Sequence, residues 1–326
     1  MALPIVINRN IYYFLSCNNL NSENFQKKLQ HLDSLCVIII VRNQNSYSMK
    51  LKSFVILGTF ISCSSLFSQS YKIIYDFKWR DEEKSGNYNS ELTVLLKTEE
   101  NSYFESLAKF KYDSIKTRLV DEGSRSFPGP KQQWKLQPLI FKDLKSQTTI
   151  SEENFFDKLY LTTYTCKPSW KIRQENSTLF NYSIQKAETD FIGRKWIAWF
   201  TNDLPISDGP YKFFGLPGLI LKITDSEENF IFEIKGLTKD HSNISGRNAY
   251  TSKVNLTPKQ WETFWTKYRQ EPSMIFANLN SPDATFTYVY HGQNVDSREA
   301  KEMYNKTEKE KIAFFKIPIE TISCEQ

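Results

Sequence analysis

Residues 209–223 read GPYKFFGLPGLILKI, and the reading of this stretch decides the fold. Gly209, Pro210, Gly215, Pro217 and Gly218 fall within ten residues of a 326-residue chain that holds only 11 glycines and 12 prolines. Pro205 and Pro210 fix φ and remove a backbone donor, while glycine permits positive φ or close backbone packing. Pro217–Gly218 is a strong turn dipeptide. Leu216, Leu219, Ile220 and Ile223 then carry an apolar strand away from the turn. The stretch therefore predicts an ordered scaffold element: a crossover that wraps a β-sheet, its glycines placed for backbone geometry, whether positive φ or close packing. In that case Asp208→Ala and Tyr211→Phe are tolerated. The rival reading is a ligand-gripping lip, with Asp208 and Tyr211 reaching outward.

The flanks are strands. YKIIYDFKWR (71–80) alternates, with Tyr71, Ile73, Tyr75, Phe77 and Trp79 on one face and Lys72, Asp76, Lys78 and Arg80 on the other. ELTVLLKT and SYFESLAKF flank the turn-like EEN and predict a hairpin. NFFDKLYLTTYTC, SWKIRQE and LFNYSIQKAETDF continue the pattern, although SEENFFDKLY also passes for a short helix. FIGRKWIAWF turns at Gly193 into a strand apolar on both faces, and NFIFEIKGL alternates again. Later, TPKQWETFWTKYRQEP predicts an amphipathic helix with Thr257 as N-cap and Pro258 at N1. ATFTYVYH reads as one more strand, and DSREAKEMYNKTEKEKI as a solvated charged helix. The expected fold is mainly β: a curved antiparallel sheet, an open bowl or half-barrel, with a few helices mostly toward the C-terminus.

The run FIGRKWIAWFTNDLPISDGPYKFFGLPGLILKITDS resembles the core of the GLPGLI family, exported Gram-negative bacterial proteins of unassigned biochemical role. The resemblance is close over about residues 180–237 and extends in organisation to 71–240. That family is in turn similar to the N-terminal bowl-like β domain of a class of bacterial peptide-N-glycanases, which implies a concave sheet face. One departure is Ile184 in YSIQKAET, where family members often carry a cysteine. Any redox role of that position is lost.

Residues 49–70, MKLKSFVILGTFISCSSLFSQS, have the layout of a secretory signal peptide: basic Lys50 and Lys52, a short apolar run, and a small-residue exit. The run is too short for a membrane span of about 20 residues. Residues 1–48 are then expected to be upstream translation outside the fold, with a cytoplasmic extension carrying a helix near Phe25–Ile40 as the alternative. Cleavage is expected at residues 68–70. A lipid anchor at Cys63 is the less favoured route, because Phe60 suits a lipobox poorly. Residues 71–240 form the expected β-rich core and 241–326 a C-terminal extension packed on it.

Six of the 42 Lys and Arg and two of the 37 Asp and Glu precede residue 71, so the mature net charge is about +1. Such a balance gives no nucleic-acid surface. Aromatic residues make up 15% of the chain, with 7 Trp, enough for a sizeable core or an aromatic-lined groove. Two cysteines remain after export, Cys166 and Cys324, and an oxidising compartment allows them to pair.

The motifs of familiar chemistry are absent from the sequence. His241 and His291 sit in no HExxH arrangement, and there is no CxxC, GxSxG, P-loop or GxGxxG. No cofactor or metal is expected. Carboxylates could pair at Glu188 with Asp190 or Asp203 with Asp208, although acids normally face outward. Arg194, Trp196, Trp199, Asp208 and Tyr211 form the candidate binding set, because aromatics beside arginine suit sugar faces, carboxylates or peptide termini. The competing reading makes the tryptophans core and Arg194 an ion-pair partner. Three function classes follow: a non-catalytic exported module binding a peptide, glycan or envelope protein, a glycan-directed enzyme, or a structural envelope component. Carboxylates clustered in the bowl favour the enzyme, an apolar bowl the binder, and a filled bowl the structural role.

Overall fold

The computed structural model describes residues 5–6, 12–13, 70–82, 86–124, 128–155, 158–239, 252–276, 288–290, 293–312 and 317–321. The expected signal segment before Ser70, the Phe25–Ile40 helix, His241, His291 and Cys324 lie outside the described residues. The chain divides into two compact units, Met1–Ser64 and Ser65–Gln326. In the first, β1 (Ile5–Val6) and β2 (Tyr12–Tyr13) pair antiparallel.

The second unit is built on one open sheet of 12 strands. One meander comprises β3 (Tyr71–Trp79), β4 (Asn89–Lys97), β5 (Asn101–Ser106), β6 (Leu139–Asp143), β7 (Thr148–Phe155) and β8 (Lys158–Tyr164). Another comprises β9 (Lys171–Leu179), β10 (Tyr182–Phe191), β11 (Arg194–Thr201), β12 (Leu219–Asp225) and β13 (Phe230–Lys239). They join where β13 pairs with β3, with Phe232 opposite Phe77, and the rings stack at 4.4 Å. β14 (Ser252–Leu256), from the C-terminal part of the chain, adds parallel to β8.

Chain connectivity dictates the curvature. β8 and β9 lie ten strand steps apart in the sheet order, about 48 Å if the sheet were flat. Only residues 165–170 connect them, a path of at most about 25 Å. The sheet must curl until these two strands approach each other. β9–β10 turns at Phe180–Asn181 (φ 50° and 67°) and β10–β11 at Ile192–Gly193 (φ 50° and 80°). Such two-residue loops of positive φ match the right-handed twist of hairpins.

The inner face holds the core. The predicted alternation of β3 is found: Ile73, Tyr75, Phe77 and Trp79 are buried against Trp196, Phe200, Ile223, Phe230 and Phe232. The outer face of β4 and β5 carries α1 (Leu107–Asp121), which seats Phe110 on Val94 and Leu96. Here the expected strand SYFESLAKF is corrected, since it ends at Ser106 and a helix begins at Leu107. SEENFFDKLY is strand throughout its described residues, because Ser151–Phe155 pair in antiparallel register with Lys158–Thr162 of β8. α2 (Pro258–Gln270) has the expected Thr257 cap, closed reciprocally by Gln260. Its aromatic face lies on Phe155, with Tyr268 at 4.6 Å. A short hairpin of β15 (Tyr288–Tyr290) and β16 (Gln293–Val295) precedes α3 (Ser297–Ile312). Tyr304 on α3 meets Tyr268 through their hydroxyls at 3.1 Å.

Candidate functional site

β11 and β12 are hydrogen-bonded antiparallel neighbours. The expected crossover is therefore corrected: residues 202–218 are a long hairpin connection folded back onto the inner face. Tyr211, Phe213, Leu216 and Ile220 sit in the core, at most 4% exposed. Local geometry ties the segment down. Leu219 N donates to Leu204 O (3.1 Å), Ile220 N to Asp208 O (3.1 Å) and Phe213 N to Pro210 O (3.1 Å). Trp170, in the β8–β9 connection, donates Nε1 to Phe214 O at 2.8 Å.

The glycines serve different physical needs. Gly215 has φ +93°, in the left-handed region that favours glycine. Gly218 carries no positive φ; a Cβ there would lie 1.8 Å from the Thr201 carbonyl oxygen, so close backbone approach selects glycine. At Gly209 a Cβ would meet Ile220 Cδ1 at 2.7 Å. Tyr211, although not glycine, has φ +52°. Pro210, Leu216, Leu219 and Ile220 are buried, while Pro217 is exposed.

Opposite the segment, the sheet register aligns Lys97, Ser102, Lys142, Thr149 and Tyr164 in one row across β4–β8, all buried on the inner face. Lys142 is the centre. Its Nζ donates to Asp208 Oδ1 (2.5 Å), Gly209 O (2.6 Å) and Phe213 O (3.4 Å), with both charged side chains fully buried. All three ammonium donors are thereby satisfied, which offsets part of the cost of burying the pair. Burial lowers the Lys142 ammonium from its ordinary value, and Asp208 opposes that shift. Burial, and then the nearby Asp208 carboxylate, raises the Tyr75 phenol, whose hydroxyl donates to Ile220 O at 2.8 Å.

A second cluster lies where residues 317–321 cross the segment. Lys212 Nζ contacts Glu320 Oε1 at 2.7 Å and stands 3.7 Å over the Tyr164 ring. The Tyr211 hydroxyl donates to the same Glu320 oxygen. Arg194 binds Asp225 Oδ2 (3.1 Å) and donates Nη2 to Pro318 O (2.7 Å) and Nε to Ile319 O (3.2 Å). Thr321 N donates to Ile192 O (3.1 Å) and Thr321 Oγ1 to Gly193 O (2.9 Å).

Arg194 and Tyr211 thus converge on residues 318–320, whereas Asp208 is held from the sheet by Lys142. Asp208 is 1% exposed, so it does not reach outward, and its pairing with Lys142 makes Asp208→Ala a change expected to destabilise rather than to be tolerated. Trp196 is core, with Nε1 donating to Phe191 O at 3.0 Å and its ring 4.7 Å from Phe213. Trp199 alternates to the other face, opposite Lys186 and Lys222. Glu188 is an outer-face hub contacting Arg173 (2.8 Å), Lys186 (3.3 Å) and Lys195 (3.8 Å), and Asp190 is exposed. Asp203 is exposed and accepts from Ser183 N at 3.3 Å, so it does not pair with Asp208. Cys166 is disulfide-bonded. Sequence reasoning missed Lys142, Lys212, Glu153 and Glu320. Only Lys142 left a signal, two residues after Ile140 on an apolar strand.

The Glu153 carboxyl is pushed up to about 8, chiefly by burial, with Glu320 adding to the shift and Lys212 opposing it. In the unfolded chain the group titrates at the usual carboxylate value of about 4.3. Between those values the folded chain keeps a proton that the unfolded chain releases, so stability falls as pH rises. The slope is at most about 1.4 kcal/mol per pH unit. Glu153→Gln should flatten urea unfolding free energies measured from pH 5 to 8. Equal slopes in parent and variant would contradict this assignment.

Residues 191–222 match a family model described as a protein of unknown function (Porph_ging). No curated protein matches the chain. Among solved structures, PNGF-II in its P21 crystal form is similar at 16% identity and TM-score 0.45, covering 62% of this chain and 34% of that one. The chain thus spans about a third of PNGF-II. A LolA superfamily protein from Nitrosomonas europaea is similar at 9% identity and TM-score 0.24, covering 54% of this chain and 88% of that one. Among the described residues, no helix is long and apolar enough to cross a membrane.

Proposed function

We propose that the chain is a non-catalytic binding or assembly module exported to the bacterial cell envelope. The observation that carries this reading is the internal use of the candidate groups. Asp208 is held by buried Lys142, Arg194 by Asp225 and two backbone carbonyls, and Tyr211 by Glu320. Groups engaged in this way are fixed against neighbouring segments rather than free for proton transfer, which suits binding or assembly better than catalysis. The signal layout at 49–70 and the disulfide-bonded Cys166 support export, since such bridges persist in oxidising compartments. Cys324 is the partner we assign to Cys166.

The test has two arms. Mass spectrometry of protein from native envelopes should find an N-terminus near residues 69–71 and a non-reduced peptide joining Cys166 to Cys324. Peptides from residues 1–48 would remove the reading of that stretch as upstream translation outside the fold. The purified chain, incubated with N-glycopeptides and free glycans, should leave them uncleaved. Cleavage that disappears in Glu153→Gln would replace the module with a glycan-directed enzyme.

A further inference from the structure

The segment 317–321, Ile-Pro-Ile-Glu-Thr, belongs to no strand of the sheet, yet the body of the protein reads it as a ligand would be read. Two kinds of contact are combined. Main-chain contacts are blind to sequence. Arg194 forks onto the successive carbonyls of Pro318 and Ile319, and the carbonyl of Ile192 accepts from Thr321 N. Side-chain contacts are selective: Ile317 enters the core at 8% exposure, Glu320 is met by Lys212 and Tyr211, and the Thr321 hydroxyl by Gly193 O. Backbone capture with pockets for chosen side chains is the general mode of extended-peptide recognition.

The receptor groups are also held by partners other than the segment. Asp225 fixes Arg194 and itself accepts from Phe230 N at 2.9 Å. Lys212 lies on the Tyr164 ring. Groups fixed before binding lower the ordering cost of a ligand.

We propose that the groove formed by Ile192–Arg194 and Tyr211–Lys212 is a receptor for an extended peptide of the pattern apolar–Pro–apolar–acid–hydroxyl. Residues 317–321 occupy it in cis as a built-in competitor. The inference rests on the reading of the chain as a binding module and names its ligand class. A tethered competitor acts at an effective concentration in the millimolar range, so a free peptide binds the parent chain weakly.

The probe is an end-blocked, fluorescently labelled IPIET peptide, titrated by anisotropy against the full-length chain. Glu320→Ala weakens the competitor, and the labelled peptide should then bind about tenfold more tightly than to the parent. It should also raise the melting temperature of the Glu320→Ala chain, because it returns a carboxylate to Lys212. The peptide IPIAT should do neither. Arg194→Lys, which keeps the charge beside Asp225 but loses the fork, should abolish IPIET binding in the Glu320→Ala background. A folded Glu320→Ala chain that binds IPIET no better than the parent, or binds IPIAT equally, overturns the receptor. That failure leaves the module reading standing, because the glycan and envelope assays decide the module independently.

Discussion

Gly218→Ala should leave little folded protein. The added Cβ would stand 1.8 Å from Thr201 O and 2.6 Å from the Thr201 carbonyl carbon. Both are backbone atoms at the end of β11, where Thr201 pairs with Leu219. No side-chain rotation relieves this contact, so the β11–β12 pairing itself must shift. The loss should exceed about 4 kcal/mol, in the rare tail of point substitutions and close to a whole domain's margin. Gly215→Ala is the internal control. Its Cβ meets nothing nearer than Trp170 Nε1 at 3.9 Å, so only the positive φ penalises it. That strain is about 1–2 kcal/mol, a few degrees in Tm. Equal effects at the two positions would show that the close approach at Gly218 is relieved at little cost and does not select glycine there.

Breaking the Lys142–Asp208 pair should be nearly as damaging. Asp208→Ala or Lys142→Met alone leaves an uncompensated charge in a site with both side chains fully buried. The expected loss is about 3–5 kcal/mol for either single change. The double variant Lys142→Met with Asp208→Ala removes both charges and should recover much of it. Urea unfolding of the four proteins gives the coupling free energy directly. Additive losses would mean that the two groups do not act as a pair. A proton-linked check follows from the lowered Lys142 ammonium. In Asp208→Asn the folded state favours neutral lysine, so the variant should regain stability as pH rises toward 10.

Strand alternation made much of this fold legible. β3 and β13 write their inner faces into every second residue, and Thr257 with Pro258 announces α2. α1 is silent by comparison. It buries only Phe110, and Lys109 bridging Glu105 (2.8 Å) and Asp113 (2.9 Å) supports a helix with no clear apolar stripe. The site is harder to read because its contacts join distant positions. Lys142 meets Asp208 across 66 residues and Arg194 meets Pro318 across 124, and no local period encodes either pairing. The concentration of glycine and proline at 209–218 was visible as a scaffold signal. That Gly218 yields to the Thr201 carbonyl depends on where β11 ends in space. Curvature was implicit in the short link between β8 and β9, but only once their places in the sheet order are known.

The central claim is that residues 202–218 are a fixed filling of the sheet rather than a mobile lip. Native-state amide hydrogen exchange reads this directly at Phe213, Leu219 and Ile220, whose amides donate to Pro210, Leu204 and Asp208 carbonyls. The account predicts that these three amides open only with global unfolding, at the same free energy as the amides of β3 and β13. Exchange through local opening at a much lower free energy, with β3 and β13 still protected, would contradict it.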